Sequence, residues 1–203
     1  MQAAQHSNVS RETMDRLVRY VDLLEKWNPR INLVGKSTLK DAWTRHVVDS
    51  LQILALAPTE WTHWADLGSG GGFPGLVVAI AAMDQAEGRT VTLVESDQRK
   101  CAFLRTVIRE TGAPAQVIAA RIEDIEPLKA DVISARALAD LSTLLGFVQQ
   151  HGTVDCTALF QKGETWQREL SQAQAQWAFT NTPYKSETEE KSVILRIQGV
   201  ARV

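Results

Sequence analysis

The chain has 203 residues, 44% hydrophobic and 23% charged, with a formal net charge of -2 at pH 7. This composition is typical of a globular domain and excludes a disordered or fibrous chain. The sequence shows no apolar run of membrane-spanning length, no signal-peptide pattern, and two cysteines that make no disulfide framework. We therefore expect a cytoplasmic protein with no membrane contact and no metal.

The balanced charge also limits the expected partners. A free-standing nucleic-acid-binding protein usually carries an excess of basic residues, and this chain has 22 basic against 24 acidic side chains. Any contact with nucleic acid is therefore expected to use a local patch, or a preassembled particle that supplies shape.

Two amphipathic helices are predicted before the first strand. Apolar residues at helical spacing predict a helix over residues 10–27, with Ser10 as its N-cap and Asn28-Pro29 at its end. A second helix is predicted over residues 38–56. Because neither belongs to an alternating strand and helix pattern, we interpret residues 1–60 as an N-terminal helical extension and residues 61–203 as one compact domain.

From residue 62 onward, short apolar strands alternate with helices. Strands are predicted at 63–67, 90–95, 116–119, 130–134 and 154–160, and helices at 76–83, 98–110, 138–148 and 164–177. This alternation predicts an α/β fold with a mostly parallel sheet. Two last strands, 178–183 and 192–198, have no helix between them and predict a C-terminal antiparallel hairpin that closes the sheet.

A glycine-rich segment follows the first strand and opens the next helix. It reads Asp66-Leu67-Gly68-Ser69-Gly70-Gly71-Gly72-Phe73-Pro74-Gly75. Glycine permits positive φ and a close ligand, and a helix N-terminus offers free N–H groups. The spacing also fits the dinucleotide fingerprint, with Glu95 about 20 residues after the last glycine. A nicotinamide-dependent (NAD(P)) oxidoreductase is therefore one interpretation.

Acidic residues at the ends of successive strands favour S-adenosylmethionine instead. Asp66 directly precedes the glycines, where its carboxylate would attract the cationic end of that cofactor. Glu95 ends the second strand and is placed to take both ribose hydroxyls. The segment Arg121-Ile122-Glu123-Asp124 follows the third strand and is placed to meet adenine. The alternatives are that Asp66 caps the N–H groups of its own loop and that Glu95 is a solvated strand end.

Other motifs are more specific than the glycine loop. They are Trp27-Asn28-Pro29-Arg30-Ile31-Asn32-Leu33, Arg45-His46-Val47-Val48-Asp49-Ser50-Leu51, Ser134-Ala135-Arg136-Ala137 and Lys162-Gly163. With them, residues 20–163 resemble the ribosomal RNA small subunit methyltransferase G family, also called the glucose-inhibited division protein B family. The resemblance implies the class I (Rossmann-like) fold of S-adenosylmethionine-dependent methyltransferases. It also implies methyl transfer to N7 of a guanine in the 530-loop region of 16S ribosomal RNA, the guanine at position 527.

The strand-end acids, the glycine loop and the resemblance together predict a cofactor site and an RNA site that share Arg136; the resemblance itself implies the roles of Gly68, Phe73, Ile122, Glu123 and Arg136. The expected cofactor-binding residues are Asp66, Gly68, Ser69, Gly70, Gly72, Phe73, Glu95, Ile122, Glu123 and Arg136. The expected RNA-side residues are Asn32, Lys36, Arg45, His46, Arg136 and Lys162. For two of these groups a structural alternative stays open: His46 as a core histidine, and Lys36 and Arg45 as solvated surface charges.

The expected chemistry needs no general base, because guanine N7 already carries an exposed lone pair. The protein's task is to align the nucleophile with the activated methyl group. A non-catalytic ribosome-assembly factor that keeps the fold is a further alternative. The near-neutral charge predicts weak binding to naked RNA and a preference for a 30S particle as partner.

Overall fold

The computed structural model describes residues 9–85 and 87–203. The helices are α1 (Arg11–Trp27), α2 (Lys36–Leu39), α3 (Asp49–Ala55), α4 (Gly75–Ala82), α5 (Gln98–Thr111), α6 (Leu141–His151) and α7 (Trp166–Ala173). The strands are β1 (His63–Leu67), β2 (Thr90–Val94), β3 (Ala115–Ile118), β4 (Ala130–Arg136), β5 (Gly152–Lys162), β6 (Trp177–Lys185) and β7 (Val193–Arg202). A π-helical segment, Trp43–Val48, leads into α3, and a 3-10 turn spans Ile122–Asp124.

The strands of the described residues form one sheet in the order β3-β2-β1-β4-β5-β7-β6. The first five strands pair in parallel. Strand order reverses between β1 and β4, so the loops that follow these two strands diverge and leave a crevice at the carboxyl edge of the sheet. This crevice is where ligands of open α/β sheets bind.

The predicted C-terminal hairpin is confirmed, and its position in the sheet is a finding of the structure. β7 pairs antiparallel with both β5 and β6, so the last strand of the chain lies inside the sheet and β6 forms its edge. The connection between β6 and β7 therefore extends from the same sheet edge as the loops after β1 and β4.

Helices cover both faces of the sheet. On one face α1, α3, α4 and α5 share an apolar cluster with β1 and β2, and on the other α6 and α7 pack on β4, β5 and β7. All eight residues of α4 are buried, because this helix lies between the sheet and the N-terminal helices. Among the described residues, no helix combines the length and apolar character needed to cross a membrane.

The prediction of one continuous helix over residues 38–56 is wrong. The chain forms the short α2, turns at Lys40 and Asp41, and re-enters as a π-helical segment before α3. Apolar spacing does not distinguish i→i+4 from i→i+5 hydrogen bonding, so periodicity gave no sign of the π-helical turns. Single π-helical turns of this kind are frequent at functional sites.

A buried asparagine holds the turn between α1 and α2. The Asn28 side chain accepts hydrogen bonds from the N–H groups of Leu33 (3.0 Å) and Val34 (2.9 Å) and donates to the Val34 carbonyl. The Leu33 carbonyl then lies 3.1 Å from the place where a Cβ on Gly71 would stand. Tyr20 of α1 donates its hydroxyl hydrogen to the Gly71 carbonyl. The N-terminal helices thus pack directly against the glycine loop.

Candidate functional site

The glycine loop bends sharply as it leaves β1. Gly68 and Gly70 have φ values of +66° and +55°, a conformation that other residues adopt only under strain. Gly70 donates its N–H to Glu95 Oε2 at 2.9 Å, so the end of β2 holds the loop open. A Cβ on Gly70 would meet only the Gly68 carbonyl, at 3.8 Å, and otherwise open space. The loop therefore presents bare backbone to a cavity.

This glycine-loop cavity has a volume of about 420 Å³ and lies at the crevice between the ends of β1, β2 and β4. Its walls include Gly68, Gly70, Glu95, Ile122, Glu123 and Ala137. The structure thus brings together five residues that the sequence analysis assigned to the cofactor. Glu95 is buried, and its Oε1 accepts the Asp97 N–H at 2.8 Å, so both carboxylate oxygens are fixed in direction.

Asp66 does not lie in the wall of this cavity, contrary to its predicted contact with a ligand. Its side chain is buried behind the loop, where Oδ1 accepts a hydrogen bond from the Ser134 hydroxyl at 2.7 Å. Trp64 donates to the same hydroxyl at 2.8 Å. Burial raises the pKa of Asp66 to about 6, and the bond from Ser134 partly opposes that rise. Asp66 ties β1 to β4 beneath the crevice.

Three other residues predicted to bind the cofactor also lie behind the loop. The Ser69 hydroxyl donates to the Asp66 carbonyl, and Gly72 faces Tyr20 and Leu76, which leave no room for a Cβ. Phe73 is buried and stacks on Tyr20 with ring centroids 5.0 Å apart. These residues support the loop from below. Their burial depends on how α1 packs, which the motif alone does not reveal.

A second cavity lies on the other side of the β4 loop. We call it the arginine cavity; it has a volume of about 380 Å³, and its walls include Arg45, His46, Asp49, Arg136, Ala137 and Lys162. The π-helical segment and α3 supply the first three of these side chains, and β4 and β5 supply Arg136 and Lys162. Four of the predicted RNA-side residues therefore meet in one place.

Arg136 is held by His46. One guanidinium nitrogen lies 2.9 Å from His46 Nδ1, and since arginine only donates, Nδ1 is the acceptor. His46 Nε2 then carries the hydrogen and donates it to Thr38 Oγ1 at 3.0 Å. Burial, followed by the neighbouring guanidinium, lowers the pKa of His46 to about 3. His46 is therefore neutral at physiological pH and orients Arg136; it is not a cation for phosphate.

Arg136 also lies over the Phe73 ring, with its guanidinium carbon 5.2 Å from the ring centroid. The His46 ring packs on the same phenyl group at 4.9 Å. Phe73 thus supports the arginine cavity and not the glycine-loop cavity to which the resemblance assigned it. Burial lowers the pKa of Arg136, and the nearby Asp49 carboxylate opposes part of that effect.

The other predicted RNA-side residues have different surroundings. Lys162 is buried, donates to the Ala139 carbonyl at 2.8 Å and forms an ion pair with Glu169 at 2.6 Å. Arg45 is half-buried and forms an ion pair with Glu189. Asn32 and Lys36 are exposed and do not line the arginine cavity. Lys162 is thus a structural cation that fixes the segment after β4.

Asp49 is a site residue to which the sequence analysis gave no role. It is buried in the wall of the arginine cavity and accepts hydrogen bonds from Gln161, Ser186 and Thr188. Its position four residues after Arg45, on the same side of the predicted helix, is the sequence signal that could have pointed to it. The contacts with residues 186 and 188 carried no such signal, because those partners are far away in sequence.

Ala137 lies between the two cavities and lines both of them. Its φ of +50° is in the left-handed region, which costs a non-glycine residue about 1–2 kcal/mol. Left-handed backbone at such a place is typical of functional sites, where surrounding structure compensates the strain. The two cavities are therefore neighbours, with the strained residue next to Arg136 at their boundary.

The strand order and the cavity at the glycine loop define the fold of S-adenosylmethionine-dependent methyltransferases. The structure is similar to an O-methyltransferase from Bacillus cereus in complex with SAH (TM-score 0.61, 11% identity, 91% of this chain and 90% of that chain). It is also similar to a methyltransferase from Geobacter sulfurreducens (TM-score 0.60, 11% identity, 91% and 88% coverage). At these identities the likeness establishes the fold.

The sequence comparisons are more specific. The model of the family described as rRNA small subunit methyltransferase G matches residues 13–194, and the chain belongs to that family. A protein of Ruegeria pomeroyi named Ribosomal RNA small subunit methyltransferase G is 54% identical over 97% of this chain and 96% of its own length. Its namesake from Rhodospirillum centenum is 49% identical over 95% and 87%. The resemblance seen in the motifs is thereby confirmed, and the oxidoreductase alternative falls.

Proposed function

We propose that the protein transfers the methyl group of S-adenosylmethionine to N7 of a guanine in 16S ribosomal RNA. One observation carries this proposal: a glycine-loop cavity and an arginine cavity meet at the strained Ala137, at the switch point of a methyltransferase sheet. A methyl donor in the first and a base in the second would lie on either side of that boundary. Family membership supports ribosomal RNA as the substrate.

The residues of the glycine-loop cavity fit this cofactor. Bare backbone at Gly70 leaves the approach open, and a Cβ there would enter the space that the ligand needs. Each Glu95 oxygen accepts one backbone N–H and retains a lone pair for a ribose hydroxyl. Ile122 and Glu123, on the 3-10 turn, line this cavity and would enclose the adenine. When bound, the cofactor supplies a methyl group already activated by its sulfonium.

The residues of the arginine cavity would bind and orient the base. Arg136 has several N–H donors and a fixed direction, because His46 and Phe73 hold it. A guanidinium so placed would donate to the guanine O6 beside the reacting N7. No general base is needed, because N7 already has a free lone pair. The chain's contribution is alignment and exclusion of water.

The N-terminal extension, residues 1–60, would form one wall of this RNA site. It contributes Arg45, His46 and Asp49 to the arginine cavity and packs against the glycine loop through Tyr20. With a net charge of -2, the protein has little general attraction for phosphate. We infer that its partner in the cell is an assembled 30S particle in the cytoplasm, which presents the RNA in a defined shape.

The test is methylation of 30S particles prepared from cells that lack the gene. Purified protein and tritiated S-adenosylmethionine should label 16S RNA at one guanine, mapped by cleavage of the chain at N7-methylguanine. Naked 16S RNA at the same concentration should be labelled much more slowly. Absence of label in both substrates would contradict the function, and equal labelling would contradict only the preference for the particle.

A further inference from the structure

The connection between β6 and β7 lies over the arginine cavity. Its residues Ser186 and Thr188 each donate a hydroxyl hydrogen to Asp49 Oδ1, at 3.1 and 3.0 Å. Glu189 forms an ion pair with Arg45. The connection thus satisfies both an acidic and a basic side chain of the cavity wall.

The same connection is tied to α3 at both ends of this contact. Gln52 donates to the Lys185 carbonyl at 2.7 Å and accepts the Glu187 N–H at 3.1 Å. These bonds connect residues more than 130 positions apart in the chain. They hold the hydroxyls of Ser186 and Thr188 at the rim of the cavity.

Asp49 and Gln161 form a wall of hydrogen-bond acceptors. Asp49 is buried, and Gln161 donates its amide hydrogen to Asp49 Oδ2. Gln161 Oε1 is itself buried and has no hydrogen-bond partner among the residues described. Buried polar atoms without a partner are unusual, and Gln161 is one of the residues that line the cavity. Asp49 and Gln161 therefore give this part of the wall an acceptor character that suits a ligand with adjacent donors.

Guanine carries such donors on its Watson–Crick edge, at N1–H and at the N2 amino group. A carboxylate takes both at once, whereas adenine would place its N1 lone pair against the same carboxylate. Arg136 lines the same cavity and offers donors to the O6 acceptor, while N7 keeps its lone pair free for the methyl group. A carboxylate and a guanidinium in one cavity match the adjacent donors and the O6 acceptor of guanine.

We propose that Asp49 is the residue that selects guanine, and that the β6–β7 connection occupies its place until RNA binds. The hydroxyls of Ser186 and Thr188 stand where the N1 and N2 hydrogens would lie. Glu189 likewise stands where an RNA phosphate would meet Arg45. This inference rests on the proposed function, because it assigns the base-reading group within the same RNA site.

The experiment compares guanosine with inosine at the target position of reconstituted 30S particles. Inosine lacks only the N2 amino group. The wild-type protein should methylate the inosine particle about 10-fold more slowly in kcat/KM, since one charge-assisted hydrogen bond is lost. Asp49→Asn should lower kcat/KM on guanosine about 10- to 100-fold and bring the guanosine-to-inosine ratio close to 1.

Asp41→Asn is the matched control, because Asp41 is exposed, lies in the turn just before the π-helical segment and does not line the cavity. It should keep the wild-type ratio. Affinity for S-adenosylmethionine, measured by calorimetry, should be unchanged in both variants, which verifies folding. A wild-type ratio in Asp49→Asn, or equal rates on both bases for the wild type, overturns the proposal for Asp49.

A second variant keeps the test decisive if Asp49→Asn fails to fold. In the double variant S186A/T188A the carboxylate loses two donors that compete with the base. KM for 30S particles with guanosine at the target position should fall several-fold. The guanosine-to-inosine ratio of kcat/KM should stay at or above the wild-type value. A higher KM would overturn the displacement step. Failure of the wild type to methylate any particle would instead overturn the proposed function itself.

Discussion

Gly70 and Gly112 form a matched pair for testing the glycine loop. Both have positive φ, +55° and +68°, and at neither would an added Cβ meet an atom closer than 3.8 Å. Gly70 lines the glycine-loop cavity, whereas Gly112 ends α5 far from it in the chain. Substitution by alanine therefore imposes the same backbone strain at both positions and places a methyl group in the cavity at only one.

The strain sets the expected loss of stability. A single alanine in the left-handed region costs about 1–2 kcal/mol, so both variants should unfold at lower temperature. For a domain of this size that loss corresponds to a decrease in Tm of roughly 2–8 °C. The two variants should agree within about 0.5 kcal/mol, because neither methyl group clashes.

The two variants should differ in their affinity for the cofactor. A methyl group that protrudes into a close-fitting site costs about 1–3 kcal/mol, which is roughly a 5- to 150-fold increase in Kd. Gly70→Ala should show this loss for S-adenosylmethionine in titration calorimetry, and Gly112→Ala should bind as the wild type does. Equal affinity of the two variants would refute the placement of the cofactor against the glycine loop.

Three other predictions concern Asp66 behind the glycine loop, and His46 and Lys162 in the wall of the arginine cavity. Asp66 has a folded-state pKa of about 6 against 3.8 in the unfolded chain, so its contribution to stability is present at low pH and lost as pH rises. In urea titrations, the free energy of unfolding of Asp66→Asn relative to wild type should therefore rise by about 2 kcal/mol between roughly pH 4 and 7. A constant difference would contradict the raised pKa. With a pKa of about 3, His46 should add no inflection to the kcat profile above about pH 5, and His46→Leu should lower kcat about 10-fold at unchanged cofactor affinity, because Arg136 loses its acceptor. His46→Gln, which restores an acceptor, should recover part of that rate, and no recovery would show that packing alone explains the loss. Lys162→Met should destabilise the protein by about 2 kcal/mol in denaturant unfolding, since Glu169 is left half-buried without its partner; wild-type stability would show that the ion pair contributes nothing.

Local signals were enough to locate the glycine loop. Its glycines, the strand before it and the buried helix after it lie within 20 residues, so periodicity and turn chemistry identify them together. Glu95 and Ile122 line the same cavity as the loop, because the carboxyl ends of parallel strands lie at one edge of the sheet. Asp66 has the same kind of position in sequence, yet its side chain points beneath the loop, and burial of that kind depends on neighbouring strands.

The arginine cavity could not be predicted from local sequence signals. Periodicity predicted one straight helix over residues 38–56, and the π-helical turns that bring Arg45, His46 and Asp49 to one wall leave no trace in apolar spacing. The charge of His46 also depends on Arg136, 90 positions away in the chain. A histidine in an apolar pattern is compatible with a cation or with a neutral residue that orients a neighbouring side chain. Only its hydrogen-bond partners decide which protonation state it has.

The sequence by itself determined the alternating strands and helices, the backbone freedom of the glycine loop and the family to which the chain belongs. These properties depend on residues close together in the chain, whose spacing and conformational preferences act before the fold forms. Only the tertiary structure decided that Asp66 supports the loop from below, that Lys162 is paired, and that the β6–β7 connection covers Asp49. Hydrogen-bond partners and burial are set by which distant segments meet, and amino-acid spacing carries no record of that.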